Sequence, residues 1–354
     1  MVKTKLITIG IGISISLVLL TTPLFAMNKT VFIVASYEEN HICGGPQEEG
    51  IIQGLNKEGW FEGKNLIVKR FYMDTKRKNS TLQAMKKVAG VIVEKIKSEK
   101  PDLIATIDDN AFREVGLQFV GVKNISIVFS GLNGLPENYN KKKHFMNSLK
   151  KPGDNVTGVY EKLYIVRSMK VMNSALQNLS GNKIVGITDY SPTGNALTKQ
   201  FEIELKEKPT NIKWELIRVK NWEEYKKAIQ KINNENDVKA IYPVALSLKV
   251  SDTQTYTAPE IFKWTINNST KPEMALNYFF SKIGLFGGAA VDFKQMGFAT
   301  GKYAGIILNG EYAGNLPIID APDYAIVFNL KRAKQLNIKI PASLLTAADF
   351  IYKK

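Results

Sequence analysis

One cysteine, Cys43, and two histidines, His41 and His144, are all that this 354-residue chain carries of the side chains most used for thiol and metal chemistry. A single thiol excludes a disulfide framework within the chain, and the usual four-ligand Cys/His zinc site is out of reach. No metal or cofactor is therefore expected. Acidic residues are scarce as well: 33 Asp and Glu stand against 48 Lys and Arg, a net charge of +15. The excess is dispersed along amphipathic segments, as at Lys86, Lys87, Lys95, Lys97, Lys206 and Lys227. The one dense run, Lys141 to Lys143, falls in a polar stretch (137–154) that reads as a surface loop. Such spacing describes solvated helix faces and not a nucleic-acid footprint. Hydrophobic residues make up 44% and charged residues 23%, an ordinary soluble balance. That excludes a disordered tail, a collagen-like repeat and a multi-pass membrane protein.

What the chain does have starts at the N-terminus. Lys3 and Lys5 form a basic head, Leu6 to Leu20 is an apolar run, and Pro23 and Ala26 supply a break and a small residue. This is the order of a secretory signal, so residues 1–26 are expected to be removed and Met27 to become the first residue. A retained anchor is the alternative, since Leu6 to Ala26 is close to the ~20 residues that span a bilayer. No cysteine stands at the cleavage point, so a lipid anchor is not expected. The product is an exported, periplasmic chain.

The remainder is long enough for two domains of ~100–200 residues, and apolar runs alternate with amphipathic segments along it. Val31 to Ala35, Leu66 to Tyr72, Asp102 to Ile107 and Ser126 to Phe129 read as strands. Between the second and third lies the clearest helix, with Leu82, Met85, Ala89, Ile92 and Ile96 at three- and four-residue steps and Asn79 or Ser80 as its cap. After a link at 155–161 the rhythm restarts. Helices at 165–176, 194–208, 222–232 and 259–267 alternate with strands at 183–188, 213–219, 238–242 and 273–276. Two blocks of βαβ units imply an α/β fold of two doubly wound parallel-sheet lobes. The expected division is 29–155 with 284–312 for the first lobe, and 156–283 with 313–354 for the second. The four tryptophans, at 60, 214, 222 and 264, read as core or rim packing.

In parallel sheets ligands bind beyond the carboxyl ends of the strands. The residues placed there are Ser36 and Tyr37, Asp108 to Asn110, Ser130 to Asn133, Asp189 to Ser191, and Tyr242 with Pro243. They are short polar and aromatic groups suited to holding a small molecule. No catalytic set emerges from them. His41 and Cys43 would need a third group to orient the imidazole. Asp108 and Asp109 are adjacent and so point apart, which disfavours the paired carboxylates of an exported hydrolase. Gly287-Gly288-Ala289-Ala290 lacks the Lys-Ser/Thr of a phosphate loop and reads as a hinge or close-packing turn.

Longer stretches carry a family resemblance. They are Lys100-Pro101-Asp102-Leu103-Ile104, Ile127-Val128-Phe129-Ser130, Asp154-Asn155-Val156-Thr157-Gly158-Val159, and Gly288 to Phe293 with Gly297 and Gly301. Ile307-Leu308-Asn309-Gly310 and Val327-Phe328-Asn329, followed by Ala333, Leu336, Ile338, Ile340 and Pro341, complete the series. In order and spacing the chain resembles the ABC-transporter substrate-binding proteins of the type I periplasmic-binding fold, in the branch that includes tryptophan-binding members. The resemblance implies two lobes joined by three crossovers, a ligand held in the cleft, no catalysis, and a monomer that docks on a membrane permease. A sensory module reporting to a membrane receptor would share the fold. Carried over by position, the expected contacts are Ser36, Tyr37, Asp109, Asn110, Ser130, Asn133, Tyr160, Glu161, Tyr190, Tyr242 and Asp292. If the ligand is an amino acid, Asp109, Glu161 or Asp292 would meet its ammonium, with Asp109 the sharpest expectation. Asp189 and the 243–245 turn depart from that branch.

Overall fold

Val31 to Ala35 is buried along its whole length, and its alternate side chains enter two different cores. In the computed structural model, which describes residues 28–244, 247–322 and 324–353, it lies near the middle of a six-stranded sheet. The expected export segment 1–26 and its cleavage product at Met27 lie outside the described residues. The first lobe runs through β1 (Lys29–Ala35), α1 (Gly44–Lys57), β2 (Leu66–Tyr72), α2 (Leu82–Glu99), β3 (Leu103–Ile107), α3 (Asp108–Glu114), β4 (Ser126–Leu132), α4 (Pro136–Asn140) and β5 (Val156–Tyr160). β1 pairs in parallel with β2 and β3, setting Val31 opposite Val68 and Leu103. Phe32 and Val34 face α2 and α3, while Val31, Ile33 and Ala35 face α1. Helices on both faces explain why the strand reads as continuous apolar sequence. The α2 cap is Thr81, whose hydroxyl accepts Ala84 N–H at 3.2 Å, one residue beyond the expected Asn79 or Ser80.

The second lobe runs through α5 (Ile165–Ala175), β6 (Lys183–Asp189), α6 (Pro192–Glu207), β7 (Lys213–Val219), α7 (Trp222–Asn233), β8 (Val238–Pro243), β9 (Ser247–Lys249), β10 (Thr255–Thr257), α8 (Ala258–Asn268), α9 (Tyr278–Lys282) and β11 (Gly287–Val291). The chain then returns to the first lobe through α10 (Phe293–Leu308) and β12 (Ile319–Asp320). It ends in the second with β13 (Tyr324–Asn329), α11 (Leu330–Gln335), α12 (Ala342–Thr346) and β14 (Phe350–Tyr352). β6, β7 and β8 are parallel. Bridges at Glu273 and Met274 connect β8 to β11, and β11 pairs antiparallel with β13.

The sheets therefore distribute the chain differently from the expected division. Residues 156–160 form β5 beside β4 and do not open the second lobe. Gly287–Val291, expected as a turn in the first lobe, is a buried strand of the second. Ile319 and Asp320 return to the first sheet beside β5. Short apolar segments with little side-chain alternation carry no mark of the sheet they will join, which is why a sequence division slips by one strand at each crossover. The second sheet is accordingly mixed, not wholly parallel. Three crossovers, after Tyr160, at Asp292 and between Ala321 and Tyr324, join the lobes. One core cluster continues through them, uniting Val159, Phe293, Met296 and Ala321 with the second lobe.

Helices α1 and α10 touch backbone to backbone. A Cβ built on Gly297 or Gly301 would lie 2.1 Å from the carbonyl oxygen of Gln47 or Ile51, and one on Gly50 would lie 2.1 Å from that of Lys294. Glycine from both helices is what permits this approach.

Candidate functional site

Each of the first five strands ends with a residue that reaches the face between the lobes: Tyr37 after β1, Lys76 after β2, Asp108 and Asp109 after β3, Asn133 after β4, and Glu161 after β5. Ser36 fixes the local frame. Its hydroxyl donates to Ile107 O and accepts Ala111 N–H, both at 2.8 Å, which pins the start of α3 against β1. Asp108 occupies that corner with φ of +64°, a left-handed conformation that a non-glycine residue adopts only where its surroundings impose it.

Asp108 is 2% exposed. Its Oδ1 accepts Gln47 Nε2 at 3.1 Å, and Gln47 Oε1 accepts the Ser130 hydroxyl at 2.7 Å. Its Oδ2 is buried with no partner. Burial is the main cause that pushes the Asp108 carboxyl up to about 7, against the opposing pull of Gln47 and Lys76. Glu161, 1% exposed, is the second such group, with Oε1 unpartnered. Burial first, then the Asp108 and Asp109 charges, raise its carboxyl well above the ordinary range.

Asp109 is differently placed. Its Oδ2 accepts Asn133 N–H at 3.1 Å and Asn133 Nδ2 at 3.2 Å. Its Oδ1 accepts Gly134 N–H at 2.9 Å and the Tyr139 hydroxyl. Both oxygens are thus used in holding the loop after β4. The open carboxyl oxygen belongs to Asp108, because the left-handed turn at 108 sends the two neighbouring side chains to different partners.

Contacts across the cleft come from α6. The Tyr37 hydroxyl lies 3.5 Å from Thr193 Oγ1. Gln200 Nε2 donates to Asn133 O and Glu161 O, both at 2.9 Å, and Gln200 Oε1 accepts Leu163 N–H at 3.3 Å. Farther along, Arg77 reaches Thr257 Oγ1 at 3.1 Å and Glu260 at 3.3 Å, at the start of α8. Lys76 Nζ stands 4.0 Å from the centre of the Tyr37 ring, an arrangement in which the ring face attracts the cation. Beside this set a cavity of about 300 Å³ opens between Arg113, Gly134 and Lys142 of the first lobe and Asn195, Lys199 and Gln200 of the second.

His41 and Cys43 do not form a nucleophile and base. The imidazole Nδ1 accepts Cys43 N–H at 3.2 Å and Gly44 N–H at 3.4 Å, so it braces the turn before α1. Burial holds His41 well below its usual value and drives the Cys43 thiol far up.

Of the expected contacts, the structure gathers Ser36, Tyr37, Asp109, Ser130, Asn133 and Glu161 around this face. Asn110 joins its edge, donating to Thr75 at 2.7 Å and accepting Arg113 at 2.7 Å. Tyr160 lines a neighbouring groove with Lys162 and Asp320. Three others are turned to other uses. Tyr190 is exposed under the Arg218 guanidinium, 4.0 Å from its ring centre. Tyr242 packs in the core against Phe201 and Trp214. Asp292 caps α10 by accepting Gln295 N–H at 3.0 Å. Sequence reasoning missed Gln47, Lys76 and Gln200. Lys76 sits just past β2, so the strand-end rule would have found it. Gln47 and Gln200 lie inside helices and carry no such signal.

Among the described residues no group of His, Cys, Asp and Glu is placed to hold a metal ion, and no helix is long and apolar enough to cross a membrane. The family model described as ABC transporter substrate binding protein matches residues 44–351. A tyrosine-binding protein from Clostridioides difficile (strain R20291) is 22% identical over 292 residues, 82% of this chain and 76% of that protein. The structure of an ABC domain in complex with L-Trp from Streptococcus pneumonia aligns with a TM-score of 0.69 at 19% identity, over 92% of this chain and 99% of that one. The ligand-free, open structure of a substrate binding protein with adhesive properties from Clostridium difficile aligns with a TM-score of 0.65 at 18% identity, over 92% and 100% of the two chains.

Proposed function

The chain belongs to the ABC transporter substrate binding protein family, and on that premise we propose that it is an exported monomer that closes its lobes over an amino acid and delivers it to a membrane permease. The observation that carries the ligand class is the pair of buried, unpartnered carboxyl oxygens on Asp108 and Glu161, on both of which the Lys76 charge acts. A buried polar atom without a partner costs about 1–3 kcal/mol, so a site that keeps two of them is built for something that satisfies them. An amino acid brings an ammonium for the carboxyls and a carboxylate for Lys76. The aromatic amino acids named for the relatives are the first ligands to try. Closure follows from the placement of the contacts: Tyr37–Thr193 and Gln200 join the lobes directly over the site, so a ligand bound there favours the closed form.

Titration calorimetry with L-tyrosine and L-tryptophan, together with native mass spectrometry of the protein as purified, tests this reading. Saturable binding of either, or a co-purified amino acid, supports it. A protein that carries nothing and binds neither refutes the aromatic amino-acid assignment. N-terminal sequencing of the mature protein should find Met27 first, and Met1 on a membrane-bound product would overturn the cleavage.

A further inference from the structure

Asp108 and Glu161 each bury one carboxyl oxygen that has no partner, and the charge of each bears on the other across the ends of β3 and β5. The titratable and charged groups that act on the pair are Asp109 from α3, Lys76 from the loop after β2, and Tyr37 and Cys43 from the segment after β1. Tyr160 at the end of β5 and Tyr242 at the end of β8 complete the set. His41, also near, is neutral because burial and the Lys76 and Arg77 charges oppose its protonation. Asp109 is already served by four donors. That leaves Lys76 as the cation facing two carboxyls, and the phenols and the thiol, all pushed upward by burial, add none. Two like charges buried this deeply, with a single cation acting on both, favour a proton kept on the pair.

We infer that the inner site exchanges a proton for the cationic group of its ligand. The inference rests on the amino-acid reading above and deepens it. With the cleft closed and empty, the Asp108–Glu161 pair keeps a proton, which stands in for the missing cation. When an ammonium enters, a carboxyl O–H bond breaks, the proton passes to solvent, and the carboxylate takes the N–H donors of the ammonium in its place. The left-handed backbone at Asp108 serves this step by holding Oδ2 toward the site while Gln47 occupies Oδ1. Burial raises both carboxyls, Asp108 to about 7, in keeping with a proton held at neutral pH.

Two measurements test the exchange. Infrared spectra of the ligand-free protein at pH 6.5 should show the carbonyl stretch of a buried, protonated carboxylic acid, diminished in Asp108→Asn and in Glu161→Gln. Absence of that band, or a band unchanged in both variants, would overturn the proposal. Its presence and loss support the stored proton whether or not either amino acid binds, so failure of the ligand assignment is read separately. Calorimetric titration with L-tyrosine or L-tryptophan at pH 6.5, in phosphate and in Tris, should report the release of roughly half to one proton per ligand, falling toward zero in Glu161→Gln. Binding with equal enthalpy in the two buffers overturns the exchange while leaving the ligand assignment standing.

Discussion

Replacing Asp109 by asparagine separates a structural carboxylate from a ligand contact. In the wild type its two oxygens receive Asn133 N–H, Asn133 Nδ2, Gly134 N–H and the Tyr139 hydroxyl. An asparagine has the same shape, but one of its two polar atoms is a donor. If its oxygen faces Gly134 and Tyr139, Asn133 N–H loses its acceptor. In the opposite orientation Gly134 N–H does. Hydrogen bonds to a charged group are each worth about 1.5–3 kcal/mol, and a buried donor left unpaired costs about 1–3 kcal/mol. Loss of the charge and of one or two bonds therefore sums to about 3 kcal/mol. At roughly 2 °C per kcal/mol for a long chain, the melting temperature should fall by about 6 °C. Tyr139→Phe removes a single donor and should cost about half as much. The loop at 133–139 forms one wall of the cavity beside the site, so ligand affinity should follow the loss of order and not exceed it. Scanning calorimetry of the two variants and titration calorimetry with the ligand decide the matter. A melting temperature held within 1 °C of wild type, with affinity reduced more than a hundredfold, would refute this reasoning and restore Asp109 as the partner of a ligand cation.

Arg332 Nε and Nη2 grip Glu273 at 3.0 and 2.5 Å, fully enclosed in the second lobe. Arg332→Met should cost about 3–5 kcal/mol by chemical denaturation, and the double change with Glu273→Leu should recover much of it, because an orphaned buried charge is the larger penalty. Gly301→Ala would set a methyl 2.1 Å from Ile51 O, and the strain, about 1–3 kcal/mol, should exceed the gain of up to ~1 kcal/mol in helix propensity; a thermally stabilised variant would contradict the packing. Asp108, raised to about 7 in the folded chain against ~3.9 unfolded, binds more protons folded than unfolded between those values. Its contribution to stability is thus present at low pH and lost as pH rises through 7. The melting temperature of Asp108→Asn relative to wild type should climb from pH 5 to pH 8, by an amount worth at most a few kcal/mol, and a flat difference would refute it.

The strands of the first lobe were legible because burial on both faces leaves an unbroken apolar run, as in β1 and β3. Helix faces such as Met85, Ala89, Ile92 and Ile96 were equally plain. The boundary between the lobes was not, since β5, β11 and β12 are short and their partners lie far off in sequence. At the site, the rule that ligands meet strand ends led to Tyr37 and Asn133, and Glu161 came only with the family resemblance. It favoured Asp109, whereas the open carboxyl oxygen is on Asp108. That choice depends on one left-handed backbone angle and on which donors a distant loop brings, neither of which is encoded within a few residues of the pair. Asp292 and Tyr242 show the converse: a polar residue after a strand caps the next helix, and a phenol there packs inward, as readily as either meets a ligand.

The seam between α1 and α10 leaves no slack between a crossover and the site. α10 starts at Asp292, where the chain passes between the lobes, and Gly297, on its second turn, rests against the carbonyl of Gln47. The same Gln47 clasps Asp108 and Ser130 through its side chain. In the closure proposed above, any tilt of α10 would therefore be delivered at once to the residue that aims the Asp108 carboxyl, as a lever without play. A substitution on the far side of α10 that tips the helix should loosen ligand capture without touching the ligand.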